Sequence, residues 1–145
     1  MNHKTVDEAS IVKYIADTFA GVETTDAMGC KFFFYGPDRM LPFTTLATAD
    51  NPHDRVSNLD RPGVFRLNIG VSPPTFQSLF GARKVDVSAF DFTVLDKIMP
   101  HPDYAAQYFV CVLNPGETTF GKVQALLAEA YDLAVRRHSK RQPKR

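Results

Sequence analysis

Hydrophobic and polar residues alternate most clearly near the middle of the chain. Arg66, Asn68 and Gly70 occupy every second position between Val64 and Val71, and hydrophobic residues occupy the positions between them. Because successive side chains of a strand point to opposite faces, this pattern predicts a strand with one face in the core and a polar face opposite. The residues predicted to be buried are Phe65, Leu67, Ile69 and Val71.

Helical spacing predicts an amphipathic helix at the N-terminus. The segment Thr5–Glu8 has the pattern of a capping box, in which the Thr5 hydroxyl and the Glu8 carboxylate accept hydrogen bonds from amide groups of the first turn. Gly21 is a suitable end signal. The helix is expected to bury Ile11, Val12, Ile15 and Phe19.

Two more helices are predicted further along the chain. Ser72 followed by a proline is typical of a helix start, and Gly81 is typical of a helix end. A cap on Thr118 or Thr119 is expected to begin the last helix. Its hydrophobic stripe consists of Phe120, Val123, Leu127, Ala134 and either Ala130 or Tyr131.

The remaining hydrophobic segments have the length and composition of strands. Lys31–Tyr35 and Phe43–Thr48 are predicted to form a hairpin, and Tyr108–Leu113 a further buried strand. Residues 22–30 are interpreted as a polar connector, and Ala89–Met99 fits a strand and an irregular segment equally well. Strands joined by hairpin signals and flanked by helices indicate an α+β fold, with a largely antiparallel sheet and helices packed on one face.

Size and composition are those of one globular domain. The chain has 145 residues, of which 44% are hydrophobic and 23% charged, and these values exclude disordered, collagen-like and coiled-coil classes. The sequence has no apolar run of membrane-spanning length and no secretory leader pattern, so a cytoplasmic location without membrane contact is expected. Two cysteines are expected to stay reduced.

The charge is distributed unevenly. Residues 136–145 contain six basic and no acidic residues, which leaves 11 basic against 16 acidic residues, a formal charge of −5, in residues 1–135. We therefore predict an α+β domain over residues 1–135 and a disordered basic tail from residue 136. Any contact with nucleic acid is expected to be weak and confined to this tail, because the acidic body repels phosphates.

A polar site is one interpretation of the middle strand. Arg66 and Asn68 lie two positions apart, so both project from the same side of the sheet, and Asp60 and Arg61 in the adjoining turn could line a pocket with them. In the alternative interpretation, Arg66 forms a salt bridge with a neighbouring carboxylate and Asn68 a cross-strand hydrogen bond, both on a solvated face. On that alternative, truncating Arg66 would cost little stability.

His101 is the most distinctive single candidate. Two flanking prolines stiffen its backbone, so the ring can be held against a fixed target, and Tyr104 adds an aromatic wall with a hydroxyl donor. If the protein has a small-molecule site, the ring is expected at the edge of a cleft that also exposes Arg66 or Asn68. The alternative is that the proline-flanked turn only redirects the chain, with the ring capping a backbone group.

No motif for metal, cofactor or catalysis was found. The two cysteines and four histidines lack metal-ligand spacing, and there is no phosphate-binding loop or nucleophile elbow. Cys111 lies within an apolar strand and is expected to be an inert core residue. No catalytic residues, metal or cofactor are therefore assigned.

Two longer stretches resemble the signatures of a bacterial family known only as a domain of unknown function. These are Ser57–Val71, and Met99–Tyr104 together with Tyr108–Pro115. With Phe33–Tyr35 and Glu129–Tyr131, the resemblance spans roughly residues 7–135.

The second signature also resembles, more distantly, the MmcQ/YjbR family. Phe109 stands where that family usually has tryptophan, and Ala130 stands where it has serine before the tyrosine of the last helix. The resemblance implies a compact YjbR-like α+β fold, which has been compared with double-wing DNA-binding folds. It implies no catalytic residues.

These observations lead to three hypotheses of function. The first is a non-catalytic binding or interaction module, with a protein or a small molecule as partner. The alternative is a small-molecule-binding protein or an unrecognised enzyme whose polar site contains Arg66, Asn68 and His101. The weaker alternative is nucleic-acid binding through the basic tail.

Overall fold

A six-stranded antiparallel sheet organises the residues described by the computed structural model, which are 5–36 and 41–141. Three α-helices accompany it within these residues, and short 3₁₀ turns lie at Val87–Ala89 and Ala105–Gln107. The predicted single α+β domain is thus confirmed in its fold class. The elements are α1 (Glu8–Thr18), β1 (Val22–Ala27), β2 (Cys30–Tyr35), β3 (Thr44–Ala47), β4 (Arg66–Gly70), α2 (Pro73–Phe80), β5 (Met99–Pro100), β6 (Phe109–Leu113) and α3 (Glu117–Arg141).

The strand order is β1-β2-β3-β4-β6-β5, so the alternating strand β4 lies in the interior of the sheet. Leu67 of β4 is paired with Leu46 of β3 on one side and with Val112 of β6 on the other. Directly paired residues project from the same face, so this register gathers large aliphatic side chains on one face. The predicted hairpin of β2 and β3 is confirmed by its antiparallel pairing.

The first face of the sheet carries the main hydrophobic core, which the helices cover. Side chains from α1, α2 and α3 pack there against residues of the central strands. The four residues predicted to be buried on and around β4 are all at most 5% exposed. The main helix contributions are Ile11, Ile15, Phe19, Phe76, Phe120, Val123, Leu127, Ala130 and Ala134.

The second face is also covered, which contradicts the expectation of a solvated face. Arg66 is 1% exposed and Asn68 is 4% exposed. The chain segments around Leu59 and Phe92 contribute to a second hydrophobic cluster on this side. Their cluster partners from the sheet and its edge are Ala47, Met99, Cys111 and Leu113. A covered polar face and a solvated one share the same alternating pattern, so the sequence pattern could not distinguish them.

The helix ends agree only partly with the predicted caps. Asp7, not Thr5, caps α1, because its carboxylate accepts the Ser10 amide hydrogen at 2.8 Å. For α2 the prediction is confirmed: Ser72 caps its start, and Gly81 ends it with a left-handed φ of 81°.

The last helix begins earlier and continues further than predicted. It starts at Glu117, and its first turn is closed by a hydrogen bond from the Phe120 amide to the carbonyl of Gly116, so neither threonine is its cap. Residues 136–141 continue the helix instead of starting a tail, while 142–145 lie outside the described residues. In the described part of the chain, no helix combines the length and hydrophobicity needed to cross a membrane.

An edge strand replaces the predicted polar connector. β1 pairs with β2 through a two-residue turn at Met28 and Gly29, whose φ values of 51° and 72° are typical of a type I′ hairpin turn. Its polar residues Glu23–Asp26 lack the hydrophobic alternation used to recognise strands, because an edge strand buries little. In the undecided segment 89–99, only Met99 belongs to a strand.

The buried position of Leu67 generates the first prediction. Leu67→Ala should lower the free energy of unfolding by about 2–5 kcal/mol, because it leaves a cavity in the main core. Leu95→Ala is the matched control, since Leu95 is 44% exposed and its truncation should cost about 1 kcal/mol or less. Denaturant unfolding measures both values. A larger cost for Leu95→Ala would contradict the assignment of the core face.

Candidate functional site

A cavity of about 660 Å³ lies along the second face of the sheet and extends past Phe43 and Val71 to residues 130, 133 and 137 of α3. Small side chains at Cys30, Thr45 and Ala47 line it, and they share this face in the strand register. The alternate residues Thr44 and Leu46 are buried on the opposite face. Small residues on one face of β2 and β3 therefore create the space, while large residues on the other face fill the main core.

Arg66 lies at the base of this cavity in a bidentate ion pair with Asp54. Its two terminal nitrogens donate to the two carboxylate oxygens, and one of them also donates to the Ser57 hydroxyl at 2.9 Å. The Asp54 side chain is 19% exposed. Asp54 is presented by a tight turn in which its backbone exchanges two hydrogen bonds with Asn51. The buried guanidinium therefore fixes the loop over the sheet.

Asn68 extends this network across the sheet. Its side-chain oxygen accepts from Nε of Arg66 at 3.0 Å, and its Nδ2 donates to the Thr45 hydroxyl at 3.0 Å. Thr45 is its direct cross-strand partner. The predicted salt bridge and cross-strand hydrogen bond are both present, but they lie in a buried network and not on a solvated face.

His101 also lines the cavity and caps a turn of its own. Its backbone amide donates to the carbonyl of Phe109 at 2.9 Å, which extends the pairing of β5 with β6. Nδ1 accepts the backbone amide hydrogens of Asp103 and Tyr104, both at 3.0 Å. A side-chain acceptor bonded to amides two and three residues later is the arrangement that Asn and Asp provide in turns and helix caps.

The bonds at Nδ1 determine which nitrogen of His101 carries the proton. An atom that accepts two hydrogen bonds is unprotonated, so in the neutral ring the proton is on Nε2. Burial, and secondarily the charge of Arg66, lower the pKa of His101 from 6.5 to about 3, while Asp54 acts in the opposite direction. Within the described residues, Nε2 has no hydrogen-bonding partner. His101 therefore offers the cavity a neutral N–H donor.

Aromatic residues surround His101. The ring of Tyr104 lies 5.0 Å from that of His101, and the Phe109 ring lies 6.4 Å from both. Phe109 crosses directly over Gly70, where an added Cβ would meet the ring at 3.0 Å. A side chain at position 70 would therefore displace the Phe109 ring from its place beside the cavity.

Two residues predicted for the site lie elsewhere. Asp60 accepts the Asp50 amide hydrogen at 3.1 Å, and Arg61 donates to the carbonyls of Ser57, Asn58 and Thr93. Neither residue lines the cavity. The expectation that Asp60 and Arg61 line a pocket with Arg66 is therefore wrong. Their side chains instead form hydrogen bonds with backbone groups, mainly of the loop that covers the sheet.

The structure adds residues that the sequence analysis missed. Asp54, His53 and Phe32 line the cavity together with Met28 and Leu41 at exposed positions. The only available signal for Asp54 was its place in a long polar loop, which is typical of functional segments in general. Nothing in the linear sequence indicated which carboxylate would reach Arg66.

The cysteines are not reactive thiols in this arrangement. Burial raises the pKa of Cys111 to about 12, and its thiol contacts the carbonyl of Pro100 at 3.7 Å. Burial also raises the pKa of Cys30. Across residues 5–36 and 41–141, no group of three or more His, Cys, Asp and Glu side chains is placed to hold a metal ion.

Comparisons with known proteins identify a family but no activity. The model of the DUF6194 family, described as a family of unknown function, matches residues 6–143, and the chain belongs to this family. Comparison with curated proteins gives no match. The expected membership of a family of unknown function is thus confirmed, whereas nothing found links the chain to MmcQ/YjbR, and that resemblance stays a prediction.

One solved structure is similar in fold. It is the crystal structure of a protein from Pseudomonas syringae, determined by the Northeast Structural Genomics Consortium. The match has a TM-score of 0.58 and 16% sequence identity, and it covers 89% of this chain and 99% of the other. At this identity the similarity shows a shared fold alone.

The buried ion pair leads to a prediction about stability. Asp54→Asn should lower the free energy of unfolding by about 3–5 kcal/mol, because it leaves the buried Arg66 charge without its counterion. The double variant Asp54→Asn/Arg66→Met should lose less free energy of unfolding than the two single variants lose in sum, since it removes both charges together. Asp26→Asn is the control, because its pair with Lys31 is solvent-exposed and contributes about 1 kcal/mol or less. Additive costs in the double variant would contradict this account.

The neutral state of His101 leads to a prediction about pH. In the unfolded chain the ring titrates near its ordinary pKa of 6.5, whereas the folded-state pKa is about 3. Between these values the unfolded chain binds the extra proton, so the contribution of the neutral ring is complete above about pH 6.5 and is lost as the pH falls toward 3. His101→Asn should make the free energy of unfolding fall less steeply with decreasing pH. Equal slopes in the two proteins, measured by urea denaturation, would show that His101 does not titrate in this way.

Proposed function

We propose that this member of the DUF6194 family binds a small organic molecule in the cavity between the sheet and its covering loop. This proposal develops the alternative that the sequence analysis kept open, a small-molecule site with Arg66, Asn68 and His101. The cavity volume of about 660 Å³ lies within the range of roughly 300–1,000 Å³ that is usual for ligand sites. Its walls are largely apolar and its polar groups converge at the base, which is also typical of such sites.

The observation that carries the proposal is the free side of the His101 ring. The residue is 4% exposed, yet its Nε2 has no partner within the described part of the chain, and the ring lines the cavity. Asn at this position could cap the turn equally well, so capping alone does not explain a histidine. A ligand that accepts from Nε2 would explain it.

We propose binding and not catalysis for this residue. Nδ1 is engaged by two amide hydrogens and Nε2 is protonated, so neither nitrogen is available as a general base. The low pKa also keeps the ring from donating a proton as an imidazolium near neutral pH. What remains is a fixed hydrogen-bond donor, and that is suited to orienting a ligand.

Fewer structural observations support the other two hypotheses from the sequence, protein interaction and nucleic-acid binding. Met28, Leu41 and Tyr104, three of the exposed large hydrophobic residues, line the cavity, whereas Val56, Leu79, Val94 and Leu95 lie outside it. A protein-interaction role would rest on those four residues. Weak nucleic-acid contact through residues 136–145 stays a prediction, to be tested by deleting that segment.

The test uses a general fragment library and two-dimensional NMR of the backbone amides. We expect bound fragments to shift the amides of Thr45, Asn68, His101, Asp103 and Tyr104. His101→Asn retains a side-chain acceptor for the turn, and its own Nδ2 donor is too close to the backbone to occupy the position of Nε2. The variant should therefore fold normally and bind fragments that carry an acceptor group more weakly. Fragments that shift amides only outside the cavity, or no fragment binding at all, would overturn the proposal.

A matched pair of variants controls for general effects of mutation. Ala27 lines the cavity from the edge strand, and Thr24 lies on the opposite face of the same strand, both at exposed positions. Ala27→Phe should fill part of the cavity and weaken fragment binding, whereas Thr24→Phe should leave it unchanged. Equal effects of the two variants would count against the cavity as the site.

A further inference from the structure

The hydrogen-bonding groups at the base of the cavity indicate which ligand chemistry it can accept. Resting on the proposed function, we infer that the ligand is an uncharged, mainly apolar molecule whose carbonyl or similar oxygen accepts a hydrogen bond from Nε2 of His101. Four properties of the site support this inference: its side-chain acceptors, its donors, its charges and its walls.

Each side-chain acceptor at the base already accepts at least one hydrogen bond from a neighbouring residue. Both Asp54 oxygens and the Asn68 oxygen accept from Arg66, and the Thr45 hydroxyl accepts from Asn68. Nδ1 of His101 accepts from the turn. A ligand donor, such as a hydroxyl or an ammonium group, would therefore have to share an oxygen that already accepts a hydrogen bond from Arg66 or Asn68.

Donors at the base are in excess. Arg66 has five N–H groups, and its hydrogen bonds to described residues use four of them. Asn68 has two N–H groups and uses one, on Thr45. With Nε2 of His101, the base offers donors without corresponding acceptors. An oxygen that only accepts hydrogen bonds matches this arrangement.

The charges of the cavity cancel. Its acidic residues Asp54 and Asp103 are matched in number by its basic residues Arg66 and Arg137. The charge of Arg66 is paired with that of Asp54, and His101 is uncharged. A charged ligand would lose its hydration on entering and gain no unpaired counterion at the base, and this loss disfavours carboxylates and amines.

The walls favour an apolar and planar ligand body. Phe32, Phe109 and Tyr104 line the cavity, and Met28 extends over its rim with 79% of its surface exposed. Met28 occupies a left-handed turn position with φ of 51°, where Asn or Gly is favoured. An apolar side chain at this position costs local stability, and a contact with the apolar part of a ligand would account for it.

The test compares four probes that share one aromatic scaffold. They are benzylacetone, which carries a ketone, hydrocinnamate, which carries a carboxylate, phenylpropylamine, which carries an ammonium group, and butylbenzene, which carries neither charge nor acceptor. We expect benzylacetone to bind about tenfold more tightly than each of the other three, which corresponds to one net hydrogen bond. Amide NMR titration of the full chain gives the four dissociation constants.

The variant His101→Asn separates the hydrogen bond from the apolar contact. The variant should raise the dissociation constant of benzylacetone by about tenfold and leave the dissociation constant of butylbenzene unchanged. Tighter binding of hydrocinnamate or phenylpropylamine than of benzylacetone would overturn the inference. So would equal binding of benzylacetone and butylbenzene, or failure of all four probes. In each case the proposed function would survive if library fragments still bound the cavity.

Met28→Asn tests the contribution of the rim. Asn is favoured at this turn position, so the variant should unfold at a higher temperature than the natural chain while binding butylbenzene and benzylacetone more weakly. A merely structural role of Met28 would not separate stability from binding in this way. Unchanged affinity for both probes would show that Met28 does not contact the ligand.

Discussion

The second face of the sheet is organised by one constraint, the need to compensate a buried guanidinium. Arg66 lies between Ala47 and Leu113 in the interior of the sheet, where water cannot satisfy its charge and its donors. Asp54 and Ser57 meet this need from the loop, and Asn68 meets it from the same strand. The loop is therefore held over the sheet, and the sheet face becomes the base of a cavity instead of a solvated surface.

The same constraint determines the polarity of the site. Because Arg66 donates to the carboxylate of Asp54 and to the amide oxygen of Asn68, each of these acceptors already has a hydrogen bond, while N–H groups of the network remain without a partner among the described residues. The positive charge also helps to keep His101 neutral. A single buried arginine thus links the fold of the loop, the protonation of a histidine about 35 positions away in the sequence, and the ligand chemistry that we infer.

Local sequence patterns predicted most helices and strands. The predictions that were wrong concern features that depend on contacts between segments distant in the sequence. Alternation identified β4, and Ser72 and Gly81 bounded α2, because these signals depend on a few neighbouring residues. Arg66, Asn68 and His101 line one cavity, while their role as a ligand site stays a prediction. The positions of Asp60 and Arg61 were predicted wrongly because a polar loop residue can either line a pocket or form hydrogen bonds with nearby backbone groups. The sequence does not distinguish these two arrangements, which depend on how the loop folds. The edge strand β1 was missed because it buries too little to show a pattern.

Ligand binding as proposed depends most directly on which ring nitrogen of His101 carries the proton. Long-range proton–nitrogen NMR correlations of the imidazole ring can identify that nitrogen. We predict that at about pH 5, below the ordinary pKa of 6.5, the ring is neutral, with Nδ1 unprotonated and Nε2 protonated. Addition of benzylacetone should then shift the Nε2 resonance more than the Nδ1 resonance. An imidazolium ring at this pH, or a proton on Nδ1, would contradict the account, because the cavity would then lack the neutral donor on which ligand binding is proposed to depend.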